Sequence, residues 1–323
     1  MVTLYPAPPA RDRWILERRP PRPRHDPQRA HGFVVEDERT HDGTIARVAT
    51  VLLTGRECPW RCAMCDLWQY TLEEDTPRGA IPGQIADAMK ALPDGPDRVS
   101  QIKLYNAGSF FDPRAVPEDD YDAVAALLTG LDRVIVESHP SLVGPRVDRF
   151  AAALDARLEV AMGLETVHPD ALELLHKRMT VEMFSGAASR LRERGVALRV
   201  FLLIHPPFVP DAEQDGWLAR SVEHALACGA TAVSLIPTRA GNGAMEALAA
   251  EGHFRAPSLG DVERSMELAL AQARGCGRVF VDLWDIERLA DGEHDFDARR
   301  ARLQAMNLQQ RRGDACVAPA TQP

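Results

Sequence analysis

The sequence predicts an α/β protein whose parallel strands form a partial or complete barrel. Short, largely apolar segments recur along the chain, and segments with the apolar spacing of helices alternate with them. Strands with little polar alternation are typical of a sheet covered by helices, and strand–helix alternation places successive strands parallel. No Gly-x-Gly-x-x-Gly motif follows the first strand, which disfavours the alternative of an open, doubly wound sheet.

The alternation of strand and helix begins at residue 47. The predicted strands cover residues 47–53, 99–105, 133–137, 158–164, 197–204, 231–236 and 278–283. The predicted helices cover residues 82–92, 121–128, 143–154, 169–176, 181–194, 217–227, 259–273 and 297–308. Six strand–helix units and one further strand fit a (β/α)6-type barrel with a C-terminal strand and helix extension.

Four regions are predicted along the chain. Residues 1–45 form an irregular Arg/Pro-rich arm, residues 46–290 the barrel, residues 291–312 a helical extension and residues 313–323 a disordered tail. Prolines in the arm exclude a helix interior there. The arm is also rich in arginine, and we interpret it as a solvated segment lying over the barrel. The alternative is a contact for a phosphate-bearing substrate.

Composition limits the possible classes of function. The chain has 323 residues, of which 45% are hydrophobic, and a net charge of −9. This predicts a sizeable core and argues against a broad surface for nucleic acid. Neither a long apolar run nor an apolar signal segment is present, so we expect a cytoplasmic protein without a membrane span. Six cysteines are too few for a disulfide scaffold.

Three of the six cysteines lie together, directly after the first predicted strand. Cys58, Cys62 and Cys65 have the spacing C-x3-C-x2-C. Thiolates are the usual protein ligands of iron–sulfur clusters, and three of them leave one iron of a cubane open. A structural zinc site would need a fourth ligand, and no nearby Cys or His supplies one. These residues are therefore the predicted catalytic metal ligands, whereas Cys228 and Cys276 are predicted packing thiols.

Polar residues follow several of the predicted strands. In a parallel barrel the working side chains lie at the carboxyl ends of strands. The candidates in those positions are Asn106, Gly108, Ser109, Glu137, Glu165 and His205. Glu165 is a reasonable anchor for a ligand because a buried carboxylate is rare unless it is paired. A tight turn at Gly108 and a structural role for His205 are the alternatives.

The cysteine loop and its position resemble the radical S-adenosylmethionine (SAM) superfamily. The resemblance implies a TIM-like barrel, a [4Fe–4S] cluster and SAM as cofactors, and a 5′-deoxyadenosyl radical that abstracts hydrogen from a substrate. It also implies SAM contacts: Met64 over the adenine, residues 106–109 near the amino group and Glu137 at the ribose. Residues 163–182 resemble the elongator-type group, which implies that Arg178 reaches the SAM carboxylate; a helix cap is the alternative.

Three longer segments resemble a narrower group. LTGRECPWRCAMCDLW, IKLYNAGSFFDP and VFVDLWDIERL are similar to the radical SAM subunit of archaeosine synthases and their bacterial relatives, over about residues 30–310. The resemblance implies C–N cleavage in a lysine adduct on a 7-deazaguanine-type base of tRNA. We expect a flavodoxin- or ferredoxin-type electron donor. The same chemistry on a small molecule, and a non-catalytic iron–sulfur or zinc protein, remain the alternatives.

Overall fold

The computed structural model describes residues 5–93, 95, 98–290 and 295–311. Its strands are β1 (Gly32–Arg39), β2 (Ile45–Leu53), β3 (Gln101–Asn106), β4 (Arg133–Glu137), β5 (Arg157–Glu165), β6 (Ala197–Ile204), β7 (Ala230–Pro237) and β8 (Arg278–Val281). Its helices are α1 (Pro8–Leu16), α2 (Ala80–Lys90), α3 (Tyr121–Leu127), α4 (Pro145–Ala153), α5 (Pro169–Leu174), α6 (Val181–Glu193), α7 (Gln214–Ala227), α8 (Ala244–Ala250), α9 (Leu259–Ala273) and α10 (Phe296–Gln309).

The eight strands form one sheet in chain order, from β1 to β8. Strands β2 to β8 are all parallel to their neighbours, and β1 alone pairs antiparallel to β2. Crossover helices between parallel strands bury the outer face of the sheet. The predicted α/β class and mostly parallel barrel-like sheet are therefore confirmed.

The two faces of the sheet differ in chemistry. Side chains that face the helices are apolar and fully buried, as Leu104, Val160 and Val200 are. The alternate positions face the interior of the curled sheet, and several of them carry charge, including Glu159 and Arg199. The strands thus look apolar overall although the interior of the barrel is largely polar.

The prediction that residues 1–45 are irregular is wrong for two described segments, whereas residues 17–31 carry neither helix nor strand. Helix α1 lies there, and β1 extends the sheet. A hairpin joins β1 to β2 across the Asp42–Gly43 turn, where Gly43 has φ 88° and Thr40 N donates to Thr44 O over 2.9 Å. Sequence reasoning missed β1 because Glu36 and Glu38 are charged residues within it. In the structure, cations inside the barrel pair with both of these carboxylates.

Helix α10 covers the two ends of the sheet, β1 and β8. Its Leu303 and Met306 are buried in the main core. Asn307 and Gln310 bond through their amides to the backbone of β8, and Arg39 at the end of β1 donates to Leu308 O over 3.1 Å. The helix predicted in the C-terminal extension thus closes the seam of the barrel. The predicted disordered tail, residues 313–323, lies outside the described residues.

A second, smaller core lies beside the barrel. Trp14 and Ile15 of α1 pack in it with Met245 and Leu248 of α8 and with Phe254. Sequence periodicity missed α8, which is only seven residues long. None of the helices in the described ranges is both long and apolar enough to cross a bilayer.

Candidate active site

The cysteine loop, residues 54–66, leaves the carboxyl end of β2 and is anchored at its base. Thr54 exchanges two backbone hydrogen bonds of 2.8 Å with the buried amide of Gln84 on α2. Gly55 leaves almost no free space, since a Cβ there would lie 3.0 Å from Ala115 O. Glu57 N then donates to Leu72 O over 3.1 Å. These contacts direct the loop over the carboxyl ends of the strands.

The three predicted metal ligands are free thiols. Cys62 is buried, and Cys58 and Cys65 are half-buried. Burial raises the pKa of all three, that of Cys65 to about 12, and the charges of Cys58 and Cys65 further raise the pKa of Cys62. All three thiols lie on this one loop, within eight residues of the sequence.

The donor set of the loop fits an iron–sulfur cubane. Within the described part of the chain, no group of three or more His, Cys, Asp or Glu side chains is arranged to hold a single metal ion. Thiolates of a cubane bind separate irons and need not converge on one point. Three clustered thiols of Cys58, Cys62 and Cys65 therefore suit a cluster with one open iron.

Contacts from distant segments hold the middle of the loop. The buried Asn242, just before α8, donates from its amide to Ala63 O over 2.8 Å and to Cys65 O over 3.0 Å. Ala63 N donates to Leu175 O over 2.9 Å. Asn242 also accepts from Met245 N, which fixes the start of α8 against the loop. Sequence reasoning missed Asn242, and no local motif marks it.

Part of the arginine-rich arm packs directly on the cysteine loop. Arg19 donates to Glu57 over 2.7 Å, and Arg22 bonds the other oxygen of the same carboxylate. The guanidinium carbon of Arg19 also lies 4.7 Å from the ring centre of the buried Trp68. These arginines therefore bind to groups of the chain itself, which agrees with an arm lying over the barrel.

A buried ion pair lies next to the loop, at the carboxyl end of β5. Lys177 Nζ donates to Glu165 Oε1 over 2.5 Å and to Gly163 O over 2.6 Å. A Cβ on Gly163 would lie 2.1 Å from the Glu165 carboxylate and 2.2 Å from Lys177 Nζ, so the pair occupies the space that a side chain would fill. Burial lowers the pKa of Lys177, but Glu165 and then Cys62 raise it above its usual value.

Sequence reasoning named Glu165 as a site residue but missed its ion-pair partner, Lys177. The signal available was weak: lysine is rare in this chain, and Lys177 directly precedes the predicted Arg178. Arg178 itself pairs with Asp12 of α1 over 2.5 Å, and its side chain is 54% exposed. The structure thus brings Lys177, not Arg178, next to Glu165. A contact of Arg178 with SAM stays a prediction.

Glu137 and Asn106 end the neighbouring strands. Burial raises the pKa of Glu137 to about 8, although a backbone N–H of Asn106 and the charge of Lys177 act in the opposite direction. Asn106 is buried, and neither its Nδ2 nor its Oδ1 has a hydrogen-bond partner among the residues that the structure describes. An unpaired buried amide is costly, so this pair of orphaned atoms marks a place for a polar ligand.

Gly108 and Ser109 follow Asn106 in a tight turn. A Cβ on Gly108 would lie 3.2 Å from both Arg56 O and the Asn106 amide. The Ser109 hydroxyl donates to Ser138 Oγ over 3.3 Å and accepts from His139 N. Ser109 therefore joins the ends of β3 and β4. A direct SAM contact for either residue stays a prediction.

Trp60, between the first two cysteines, stacks on His139. Their ring centres are 3.7 Å apart at an angle of 15°. The His139 ring bonds to Ser141 Oγ and to Lys177 O, and burial followed by the charge of Lys177 lowers its pKa to about 3. A neutral, fixed imidazole therefore supports the loop from β4. The pattern Trp60–His139 was not predicted, since the partners lie on separate loops.

The remaining candidates lie at different sides of the loop. Met64 packs against the second core, near α1 and α8. His205 is buried with its Nδ1 unpaired, and burial lowers its pKa. With Glu165 it lines a small cavity of about 10 Å³ that extends towards Trp217 and Ser221 of α7. The cysteine loop, Asn106, Glu137 and Glu165 thus come together, whereas Arg178 lies apart.

Comparison with known proteins finds archaeal relatives of similar sequence. No protein-family model matches the chain. The archaeosine synthase subunit beta of Methanosarcina acetivorans is 25% identical over 241 residues, which cover 71% of this chain and 69% of that protein. An uncharacterised protein of Methanocaldococcus jannaschii is 22% identical over 237 residues, covering 70% of this chain and 65% of that protein.

Among solved structures, a radical SAM methyltransferase from Sphaerobacter thermophilus has the same fold. It superposes with a TM-score of 0.51 at 17% identity, over 77% of this chain and 73% of that one. In both the structure and the predicted fold, the three-cysteine loop follows the first parallel strand of a mostly parallel barrel. The chain shares this fold and is similar in sequence to an archaeosine synthase subunit beta, which supports the predicted resemblance.

Proposed function

We propose that this protein is an enzyme that holds a [4Fe–4S] cluster on Cys58, Cys62 and Cys65 and uses it to cleave SAM. The observation that carries the proposal is the position of three free thiols on one anchored loop above unpaired polar groups. Three ligands satisfy three irons and leave one for an exogenous molecule. When reduced cluster and SAM are both bound, they supply a 5′-deoxyadenosyl radical that abstracts hydrogen from substrate.

The chain's own residues orient the loop and shield it from water. Asn242 and the Leu175 carbonyl fix the backbone between the second and third cysteines. The Trp60–His139 stack covers the loop on the β4 side. Such support keeps ligand positions fixed and controls solvent access, which tunes the chemistry of a metal centre.

Polar groups beneath the loop suit the polar ends of SAM. The Asn106 amide offers a free donor and a free acceptor, and Glu137 offers a carboxyl group for hydroxyls. Lys177 lies between Glu165 and the thiols and supplies positive charge near the anionic groups of a ligand. Met64, Gly108, Ser109, Arg178 and His205 complete the set of proposed cofactor contacts.

For the substrate, we propose a 7-deazaguanine-type base in tRNA, with a flavodoxin- or ferredoxin-type protein as electron donor. The similarity to an archaeosine synthase subunit beta supports this choice. Because the chain covers about two thirds of its curated relatives, their full activity is carried over as a proposal only.

A small-molecule metabolite is the second candidate substrate. Two observations favour it. The net charge is −9, and several arginines of the arm are already paired with carboxylates of the chain, as Arg11 is with Glu173 and Arg19 with Glu57. Such pairs leave fewer cations for the phosphates that dominate binding to nucleic acid.

Anaerobic reconstitution with iron and sulfide tests the proposal. We expect about one four-iron cluster per chain. When SAM and dithionite are then added, we expect 5′-deoxyadenosine to form. Bound zinc, or a cluster that cannot cleave SAM, would overturn it. A gel-shift titration with bulk tRNA at rising salt then separates the two substrates. If tRNA binds no better than a random polyanion, the small-molecule substrate is favoured.

A further inference from the structure

A cationic cleft lies at the end of the barrel opposite the cysteine loop. It has a volume of about 470 Å³ and is lined at the amino ends of β4 to β8 and by the β1–β2 hairpin. Its charged lining consists of Arg133, Arg157, Arg194, Arg278 and His41, and no carboxylate is among the lining residues. We call this the amino-end cleft. Its volume falls within the range of sites for small molecules.

The floor of the amino-end cleft is part of a buried ion-pair network. The network joins the cations Lys103, Arg133, Arg199 and Arg278 to the carboxylates Glu36, Glu38 and Glu159. Among the described residues it therefore carries one more cation than it has carboxylates. An uncompensated buried charge is costly, so the network favours an anion at its open side.

Arg278 is the cation of the network with the weakest pairing. Its terminal nitrogens lie 3.6 Å from the carboxylate oxygens of Glu38 and Glu159, whereas Arg199 lies 2.5 Å from Glu38 and 2.8 Å from Glu159. Arg278 donates to the backbone carbonyls of Arg39 and Thr231. Burial, followed by the charge of Arg199, lowers its pKa. The excess positive charge thus lies at the cleft floor.

Arg157 supplies a second cation at the rim, at the start of β5. Its side chain forms no hydrogen bond or ion pair with any described residue. Arg194, by contrast, pairs with Asp148. A guanidinium without a protein partner at the mouth of a cationic cleft is free to bind an anion, and guanidinium geometry matches phosphate oxygens.

We propose that the amino-end cleft binds a small phosphate-bearing molecule, either a nucleotide or an inorganic polyphosphate. A small anion can reach Arg278, whose side chain is only 8% exposed, while Arg157 contacts a second phosphate group at the rim. Nucleic acid is disfavoured because its backbone would meet the rim without reaching the recessed floor. The site is separate from the cysteine loop and does not rest on the proposed function.

A purely structural role for the arginines is the competing explanation, since the amino-terminal face of such barrels usually serves stability. Arg157 distinguishes the two. Because Arg157 has no partner among the described residues, Arg157→Gln is expected to leave the midpoint of urea unfolding nearly unchanged, as for other surface substitutions. A site for phosphate would nevertheless lose one of its charge-assisted hydrogen bonds.

Isothermal titration calorimetry of the full chain with pyrophosphate and with ADP tests the proposal. We expect saturable binding at one site, weakened about tenfold by Arg157→Gln, because a hydrogen bond to a charged group contributes roughly 1.5–3 kcal/mol. The control is Arg300→Gln, which removes the same charge from an exposed position on α10 and is expected to leave binding unchanged.

Each outcome of the titration has a clear meaning. Tighter binding of ADP than of pyrophosphate supports a nucleotide, and equal binding supports an inorganic polyphosphate. Absence of saturable binding up to millimolar ligand would overturn the proposal. Equal weakening by Arg157→Gln and Arg300→Gln would also overturn it, since only net charge would then matter. Bulk tRNA that displaces pyrophosphate in an Arg157-dependent manner would assign the cleft to nucleic acid instead.

Discussion

The two ends of the barrel both bury polar residues, but the pairing of these residues differs between the ends. At the amino end, Glu38, Glu159 and Arg199 bond to one another within the barrel. At the carboxyl end, the Asn106 amide is buried without any partner. Paired buried charges hold neighbouring strands in register, whereas unpaired polar atoms await a ligand. A buried polar group therefore does not by itself indicate a binding site. What indicates one is whether the group has a hydrogen-bond or ion-pair partner.

The largest effect is expected at the cysteine loop. Replacing Cys58, Cys62 or Cys65 by Ala should abolish both the cluster and SAM cleavage, because a three-ligand cluster cannot lose a thiolate and keep its position. Iron and sulfide content and 5′-deoxyadenosine formation are the measurements. Cys228→Ala is the matched control, since Cys228 contacts only Ser185 and His224 through its sulfur. Loss of the cluster in that variant alone would reverse the assignment.

The next effect is expected at the amino end. Arg199→Leu leaves Glu38 and Glu159 buried with less compensation, and breaking such a pair costs about 3–5 kcal/mol. Anaerobic urea unfolding measures the loss. Arg300→Leu, on the exposed face of α10, serves as control and should change stability little. A cost below about 1 kcal/mol for Arg199→Leu would mean that the network does not stabilise the fold.

Gly163→Ala is expected to disturb the Glu165–Lys177 pair. Its new Cβ would lie 2.1 Å from Glu165 and 2.2 Å from Lys177, so the pair must move, at a cost of about 1–3 kcal/mol. The free energy of unfolding and the affinity for SAM are both expected to fall. In the control Gly216→Ala, on α7, nothing lies within 4 Å of the new Cβ, and stability should rise by about 0.4–1 kcal/mol. Equal effects of the two substitutions would exclude this steric explanation.

Asn106→Leu separates stability from binding. Because the buried amide has no partner, its removal should leave the free energy of unfolding unchanged or raise it by about 1 kcal/mol. SAM affinity of the reconstituted protein, measured by equilibrium dialysis, should fall about tenfold. A variant that unfolds more easily but binds SAM normally would assign Asn106 to the fold instead.

A further effect is expected in the pH dependence of stability. The pKa of Glu137 is raised to about 8 in the folded chain, mainly by burial, so the folded state retains a proton that the unfolded state loses near its ordinary pKa. This contribution to stability is present below the unfolded pKa and is lost as the pH rises through 8. Glu137→Gln should flatten the decline in that window. An unchanged slope in unfolding curves across the window would contradict this interpretation.

Local patterns predicted much of the fold and the centre of the site. The predicted strand–helix alternation is present in the structure because each strand buries an apolar face against its own helices. The cysteine loop was predictable because its three cysteines are close in sequence. Strand β1 was missed, because Glu36 and Glu38 are compatible with a strand only once Lys103 and Arg199 are opposite them.

The sequence by itself determined the ligand type, the spacing of the three cysteines and the positions of the strand ends, since these depend on neighbours along the chain. Tertiary structure alone decided which polar groups are paired. Lys177 reaches Glu165 across 12 positions, and Asn242 reaches Cys65 across 177. Such contacts depend on how strands and loops meet in space, and hydrogen bonds act only over a few ångströms. For that reason the pairing of a polar residue, such as Arg199 with Glu159, is decided by the tertiary structure and not by its residue type.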